Sequence, residues 1–188
     1  MATNDQLATL RAAVLEAFAN VPPPRPDRPD LYTRENAVFA GIQRLGDDTS
    51  TNWSNLSNEF IEANCEELAL VSAEAFHYYI PALFIYAIDH WKNSNVWNWT
   101  LTHFSTVPHK QHRVGQDEHN RARFGLFSEA QMQTIYSFLD LILEDTQDWI
   151  NWTAADCGKR YLMSLFEPSH VSPARITDRS SFPLRLSR

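Results

Sequence analysis

The stretch from Ser72 to Trp91, SAEAFHYYIPALFIYAIDHW, constrains the fold more than any other part of the chain. Between Ala75 and Ile88 only His77 can carry a charge near neutral pH. Ser72 suits a helix N-cap, and Glu74 falls in the first turn, where the helix dipole favours a carboxylate. Val71 and Phe76 have the spacing of a hydrophobic staple across that start. The run that follows is apolar on every side, so the helix must be enclosed by the rest of the protein. A membrane span needs about 20 apolar residues. The tyrosines, Pro81 and the flanking Asp89, His90 and Lys92 shorten this run below that. Pro81 has no N–H, which removes the i+4 partner of the His77 carbonyl and predicts a kink. Glu74 sits one turn before His77, with Tyr78 beside it. Glu74, His77 and Tyr78 are therefore the candidate polar cluster inside the apolar run.

An enclosed helix needs other helices around it, and the remaining patterns supply them. Five glycines in 188 residues are too few for the turns of an all-β fold. A helix is expected over 4–20, with Leu7, Leu10, Val14, Ala17 and Phe18 as its apolar stripe. A connector at 21–30 follows, with five prolines in ten residues; it reads as a stiff strap, with an SH3-type ligand as the rival reading. Residues 34–45 fit a short helix, and Ser57 caps another. Trp97, Trp99, Leu101 and His103 alternate with polar residues, a two-residue period that predicts one short strand in competition with a short helix. Residues 107–124 read as a long polar loop. Ser128 and Gln131 form a capping box before the stripe Met132, Ile135, Leu139, Ile142 and Leu143. Thr153 is the expected cap of the last helix, which Pro168 ends. The expected architecture is mainly α-helical, all-α but for that strand: one domain over 1–167, a bundle of five or six helices around a kinked centre. Residues 168–188 form a tail rich in arginine, proline and serine, with too little apolar surface to order itself.

The charge distribution narrows the partners. The formal net charge is −7, and the tail holds four arginines against one aspartate, leaving the body at −10. An acidic body repels nucleic acid, so none is expected as a partner. The N-terminus lacks a basic segment followed by an apolar stretch, which argues against a secretory signal and for a cytoplasmic protein. Cys65 and Cys157 are too few for a disulfide framework. The three N-W-[S/T] triplets at Asn52, Asn98 and Asn151 are then not sequons; Ser54, Thr100 and Thr153 read as caps or turn residues.

Trp53, the block LSNEFIEANCEELALVSAEAFHYYIPALFIYAI at 56–88 and FSEAQMQTIYSFL at 127–139 carry a resemblance. Glu74, Phe76, Tyr78, Tyr79, Pro81 and Ala82 match an EAFxYYLPA-type signature, and a later glutamine-to-FL segment accompanies it. On these residues the chain, from Trp53 to Leu143, resembles a family of small bacterial proteins built on a domain of unknown function. The resemblance implies a bacterial, cytosolic, mainly helical protein and brings no catalytic residues with it.

Four site candidates remain. His109 and His112 have H-x-x-H spacing, with His103 before and His119 after, the residue type a zinc site uses; a solvated loop is the plainer reading. Glu74 and His77 have the E-x-x-H spacing of di-iron bundles, but a second copy is missing, so a core histidine fits better. Neither cysteine stands in a nucleophile motif, and neither a phosphate-binding glycine loop nor G-x-S-x-G occurs. Trp91, Trp97 and Trp99 cluster just past the enclosed helix and form the candidate interaction surface, since tryptophan is enriched at binding hot spots. The leading expectation is a non-catalytic protein, without cofactor, that acts through contacts with another protein, as an accessory or immunity-type protein. The alternative is a metal-dependent enzyme using the histidines and Glu74.

Overall fold

The computed structural model describes residues 2–24, 52–104, 116–145 and 149–166. Seven α-helices and two short 3₁₀ turns make up the described elements, and none of them is a strand. The helices are α1 (Asn4–Ala17), α2 (Asn58–Asn64), α3 (Ala73–Asp89), α4 (Asn95–Phe104), α5 (Gln116–Phe124), α6 (Glu129–Asp145) and α7 (Trp149–Phe166). The 3₁₀ turns cover Trp53–Asn55 and Glu67–Leu70. The 21–24 end of the proline connector carries no helix; its remainder, residues 34–45 and the tail lie outside the described residues.

The local signals act where the sequence places them. Thr3 and Gln6 close a capping box at the start of α1. Ser57 accepts from the Phe60 N–H, and Ser72 from the Ala75 N–H, opening α2 and α3. Ser128 accepts from the Gln131 N–H at 3.3 Å while Gln131 Oε1 accepts from the Ser128 N–H at 2.8 Å, completing the box of α6. The helix α3 runs through Pro81 without interruption and buries eleven of its seventeen residues, on every side of the cylinder. It is the centre of the bundle. Helices α1, α2, α4 and α5 flank it, α6 packs on α1, and α7 lies across α6, α4 and α5.

An aromatic seam fills the space between them. Phe84 stacks on Phe104 at 5.2 Å and meets Phe138 of α6 edge-on at 4.9 Å. Phe76 stands edge-on to Phe104, Phe124 and Phe127. Each such pair adds about 0.5–1.5 kcal/mol beyond the area it buries. Gly125 ends α5, and its N–H bonds the Arg121 carbonyl at 2.8 Å. A Cβ there would stand 2.6 Å from that same carbonyl oxygen, so the turn into α6 needs glycine.

Four expectations change. The segment expected as a strand is α4. Val96, Trp97, Thr100, Leu101 and Phe104 are its buried residues, a 3.6-residue stripe that the apolar–polar alternation concealed. The expected loop at 107–124 contains α5, a helix of low apolar content that buries Asn120, Arg123 and Phe124. The last helix begins at Trp149, so Thr153 is an interior residue and not its cap. Thr100 is likewise no cap; it is buried within α4 and donates to the Val96 carbonyl at 2.7 Å. Asn52, by contrast, caps the first 3₁₀ turn through the Ser54 N–H.

Candidate functional site

Two polar anchors interrupt this apolar interior, one at each end of α6. The first is Gln131, in the first turn. Its Oε1 already accepts from the Ser128 N–H, and its Nε2 donates to the Ala17 carbonyl at 3.1 Å. Those two bonds fix which way the side-chain amide points. His77 Nε2 lies 2.9 Å from the same Oε1, so His77 must donate there. Its ring packs against Phe127 at 4.7 Å and Phe18 at 6.3 Å, both tilted to it. Burial pulls its pKa below the ordinary value, with the Gln131 bond opposing. The imidazole is therefore neutral at pH 7, with its proton on Nε2.

The second anchor is Asp145, the last residue of α6. Its carboxylate is almost fully buried, with 3% of the side chain exposed. One oxygen accepts from the Trp91 indole N–H at 2.7 Å and pairs with Lys92 Nζ at 2.8 Å; the other accepts from the Ala2 N–H at 2.7 Å. Lys92 Nζ also reaches the Asp145 carbonyl at 3.0 Å. Burial alone would raise the pKa of Asp145. The donors Lys92, Trp91 and Ala2 outweigh it and hold the carboxyl well below the usual range. Reaching this geometry costs backbone strain: Lys92 has φ 62, a left-handed conformation that non-glycine residues avoid by about 1–2 kcal/mol.

The two anchors bind opposite ends of α1. Ala17 docks on Gln131 and Ala2 on Asp145. Gln131 and Asp145 are fourteen residues apart on α6, about 21 Å along a helix axis. The two docking points on α1 lie a similar distance apart, so α1 runs antiparallel to α6 and is pinned at both ends.

The other predicted residues take separate places. Glu74 is half-buried and is not a partner of His77, which turns to Gln131 instead. The Tyr78 hydroxyl accepts from the Trp53 N–H at 3.2 Å. The candidate polar cluster is thus distributed over different neighbours. His103 Nε2 donates to the Cys65 carbonyl at 2.8 Å, and its pKa is pushed down to about 4, by burial first and by the nearby Arg123 charge, against that bond. A nitrogen that carries this proton is not a metal ligand. His119 is half-buried on α5; His109 and His112 lie outside the described residues. Among the described residues, no three metal-ligating side chains of His, Cys, Asp or Glu gather.

The tryptophan cluster also needs correction. Trp97 is 2% exposed, held in the core by α4, and cannot present itself to a partner. Trp91 and Trp99 are half-buried against the core. Among the described residues the exposed indole is Trp152 on α7, with Met163 eleven residues later, each 44% exposed.

Arg123 is a further residue that the sequence reading passes over. It is buried, lies 4.2 Å over the Phe76 ring and donates to the Leu68, Ala69 and Val71 carbonyls. It closes the C-terminal end of the second 3₁₀ turn, where free carbonyls favour a cation. A crevice of about 200 Å³ lies beside α3, lined by Arg11, Leu15, Trp53, Ile85, Tyr86 and Asp89. Arg11 pairs with Asp89 across it at 3.0 Å. The Tyr86 hydroxyl donates to the Glu62 carboxylate, whose bond, with burial behind it, raises the tyrosine pKa to about 12. Tyr86 therefore keeps its proton at neutral pH and does not act as a base.

Residues 26–157 match the Family of unknown function (DUF6714). The chain belongs to that family. No match is found among curated proteins or among solved structures. The family span takes in α2–α6 and both anchors, Gln131 and Asp145, and reaches into α7. It starts inside the proline connector, further upstream than the Trp53–Leu143 resemblance. It leaves out α1, the helix that the anchors hold. Among the described residues no helix is long and apolar enough to cross a membrane.

Proposed function

We propose that this protein acts through contacts with protein surfaces and carries out no reaction of its own, as an accessory or immunity-type protein of a bacterial cytoplasm. The observation that carries the reading is the outer face of α7. Trp152 and Met163 stand in solvent there, whereas the buried Leu162 and Leu165 of the same helix face inward. An exposed tryptophan is a large, stiff, amphipathic group with more binding energy than most surface residues. The interior offers a contrast that supports the same reading. His77, His103, Asp145 and Arg123 are each bonded to other groups of the chain, as structural polar groups are.

The test compares wild type with a Trp152→Ala/Met163→Ala double variant. Both positions are at the surface, so stability should stay within about 0.5 kcal/mol of wild type. Binding to a partner should fall at least tenfold. Metal analysis of protein purified without a histidine tag supplies the opposing result. One tightly held metal ion per chain would overturn the contact reading in favour of metal-dependent catalysis.

A further inference from the structure

We propose that the partner of the α7 face is a second copy of this chain, with the two α7 helices antiparallel about a two-fold axis near residue 158. The proposal rests on the contact reading above and names its partner. The outer face carries the exposed Trp152, Arg160 and Met163 and the half-buried Asp156, spaced four, four and three residues. At about 100° per residue, Trp152 and Met163 differ by only ~20° around the helix, and Asp156 and Arg160 lie in the same sector. The sector centred about 135° away, Ala155, Gly158, Leu162 and Leu165, is buried against the bundle. The four residues thus form one continuous seam along about 16 Å of helix.

The pattern of the seam is self-complementary. In an antiparallel pair centred between residues 157 and 158, Trp152 of each copy faces Met163 of the other. Asp156 of each copy then falls within one residue of Arg160 of the other. Each contact is made twice, as two-fold symmetry requires. Tryptophan against methionine is a favourable contact of a polarisable thioether with an aromatic ring. A parallel pair would instead set Asp156 on Asp156 and Arg160 on Arg160, and like charges in register oppose association. Within one chain Asp156 and Arg160 already form an i,i+4 ion pair, with Arg160 74% exposed by side chain. The guanidinium therefore has donors left for a second carboxylate. Lys159, beside the seam, is paired with Asp140 of α6 and stays with its own chain. One helix pair buries less than the ~1,200 Å² of a standard stable interface, so the association should depend on concentration.

Sedimentation velocity on the full chain, over a concentration series, reads the result. The mass should rise from 21.7 kDa towards twice that value. Asp156→Arg alone and Arg160→Asp alone should each abolish the rise, because each sets like charges against one another. An equimolar mixture of the two variants should restore it. The first variant carries only basic charge along the seam and the second only acidic charge, so opposite charges then meet at both ends of the mixed pair. A misfolded variant cannot be rescued by mixing, which separates loss of the interface from loss of the fold. A wild-type chain that keeps the mass of one copy throughout overturns the pairing, while the contact reading then rests on its own binding and metal tests. Association that ignores both charge reversals also overturns it, as it places the interface elsewhere. A single-copy chain in which Trp152→Ala/Met163→Ala lowers Tm would show the face covered by the chain itself, and overturns it as well.

Discussion

The two ends of α6 do the same mechanical task with different chemistry. At one end Gln131, a neutral amide, joins His77, the Ser128 N–H and the Ala17 carbonyl. At the other end Asp145, a buried carboxylate, joins Trp91, Lys92 and the Ala2 N–H. Each end pins one end of α1. The neutral anchor sits among rings, where a charge would lose its hydration, and keeps its histidine neutral. The ionic anchor sits at the mouth of the bundle, where Lys92 still has 34% of its side chain exposed. A buried charge is tolerable there because its counter-ion keeps part of its water. The comparison teaches that position within the bundle selects the anchor type, and each type should fail under its own conditions.

The largest break should come from Asp145→Ala. It leaves the Trp91 and Ala2 N–H groups without acceptors, at about 1–3 kcal/mol each, and frees Lys92 to solvent. A loss of about 3 kcal/mol in urea unfolding is expected. A loss below about 1 kcal/mol would show that the ionic anchor contributes little. Asp145→Asn should be milder, since one side-chain oxygen remains to accept.

Acid next separates the buried histidines, His77 at the neutral anchor and His103 beside Cys65, from the ionic anchor. The folded pKa values of His77 and His103 are depressed, so the unfolded chain binds more protons below its histidine value of about 6.5. Their contribution is complete above that pH and is lost as the pH falls towards about 4, the folded value of His103. Up to about 3 kcal/mol should disappear over this window. The carboxyl of Asp145 is also depressed, but from the lower carboxylate range. Its contribution persists through the histidine window and is lost only at more acid pH. A His103→Gln variant should flatten the upper part of the stability–pH curve and leave the lower part; an unchanged curve would count against the assignment.

A smaller effect is expected at the neutral anchor. Gln131→Ala should cost about 2 kcal/mol, and His77→Ala about 1–3 kcal/mol, by leaving polar groups unpaired. Because the two side chains share one bond, the double variant should cost less than the sum of the singles. Strict additivity in that cycle would show that the bond carries no coupling. The smallest effect should be Lys92→Gly. Glycine relieves about 1–2 kcal/mol of left-handed strain, while loss of the cation leaves the buried Asp145 carboxylate to the Trp91 and Ala2 donors, so a net loss of about 1–2 kcal/mol is expected. A much larger loss would raise the weight of the ion pair above that of the backbone.

The legibility of each anchor follows from how local its causes are. The capping role of Gln131 is written in four consecutive residues, Ser128 to Gln131, and is readable at once. Its second role is not, because His77 lies 54 residues away. Asp145 does carry a signal. A carboxylate at the last turn of a helix opposes the helix dipole, so its presence there asks for a compensating cation. Lys92, next to the end of α3, is that cation, but only its left-handed backbone aims it. The strand expectation failed for the opposite reason: four alternating residues imitate a two-residue period within a helix whose true stripe is visible only over ten.

The sequence by itself determined that the chain is helical, where the helices opened by Ser57, Ser72 and Ser128 begin, and that the Ser72–Trp91 segment lies at the centre. These follow from caps, staples and apolar periods, which act over a few residues. Tertiary structure alone decided which polar groups share a bond, that Trp97 is core while Trp152 is surface, and that α1 is held along α6. Those outcomes depend on packing between helices far apart in sequence, and an indole or an imidazole reads the same in a sequence whether it faces a neighbouring helix or water.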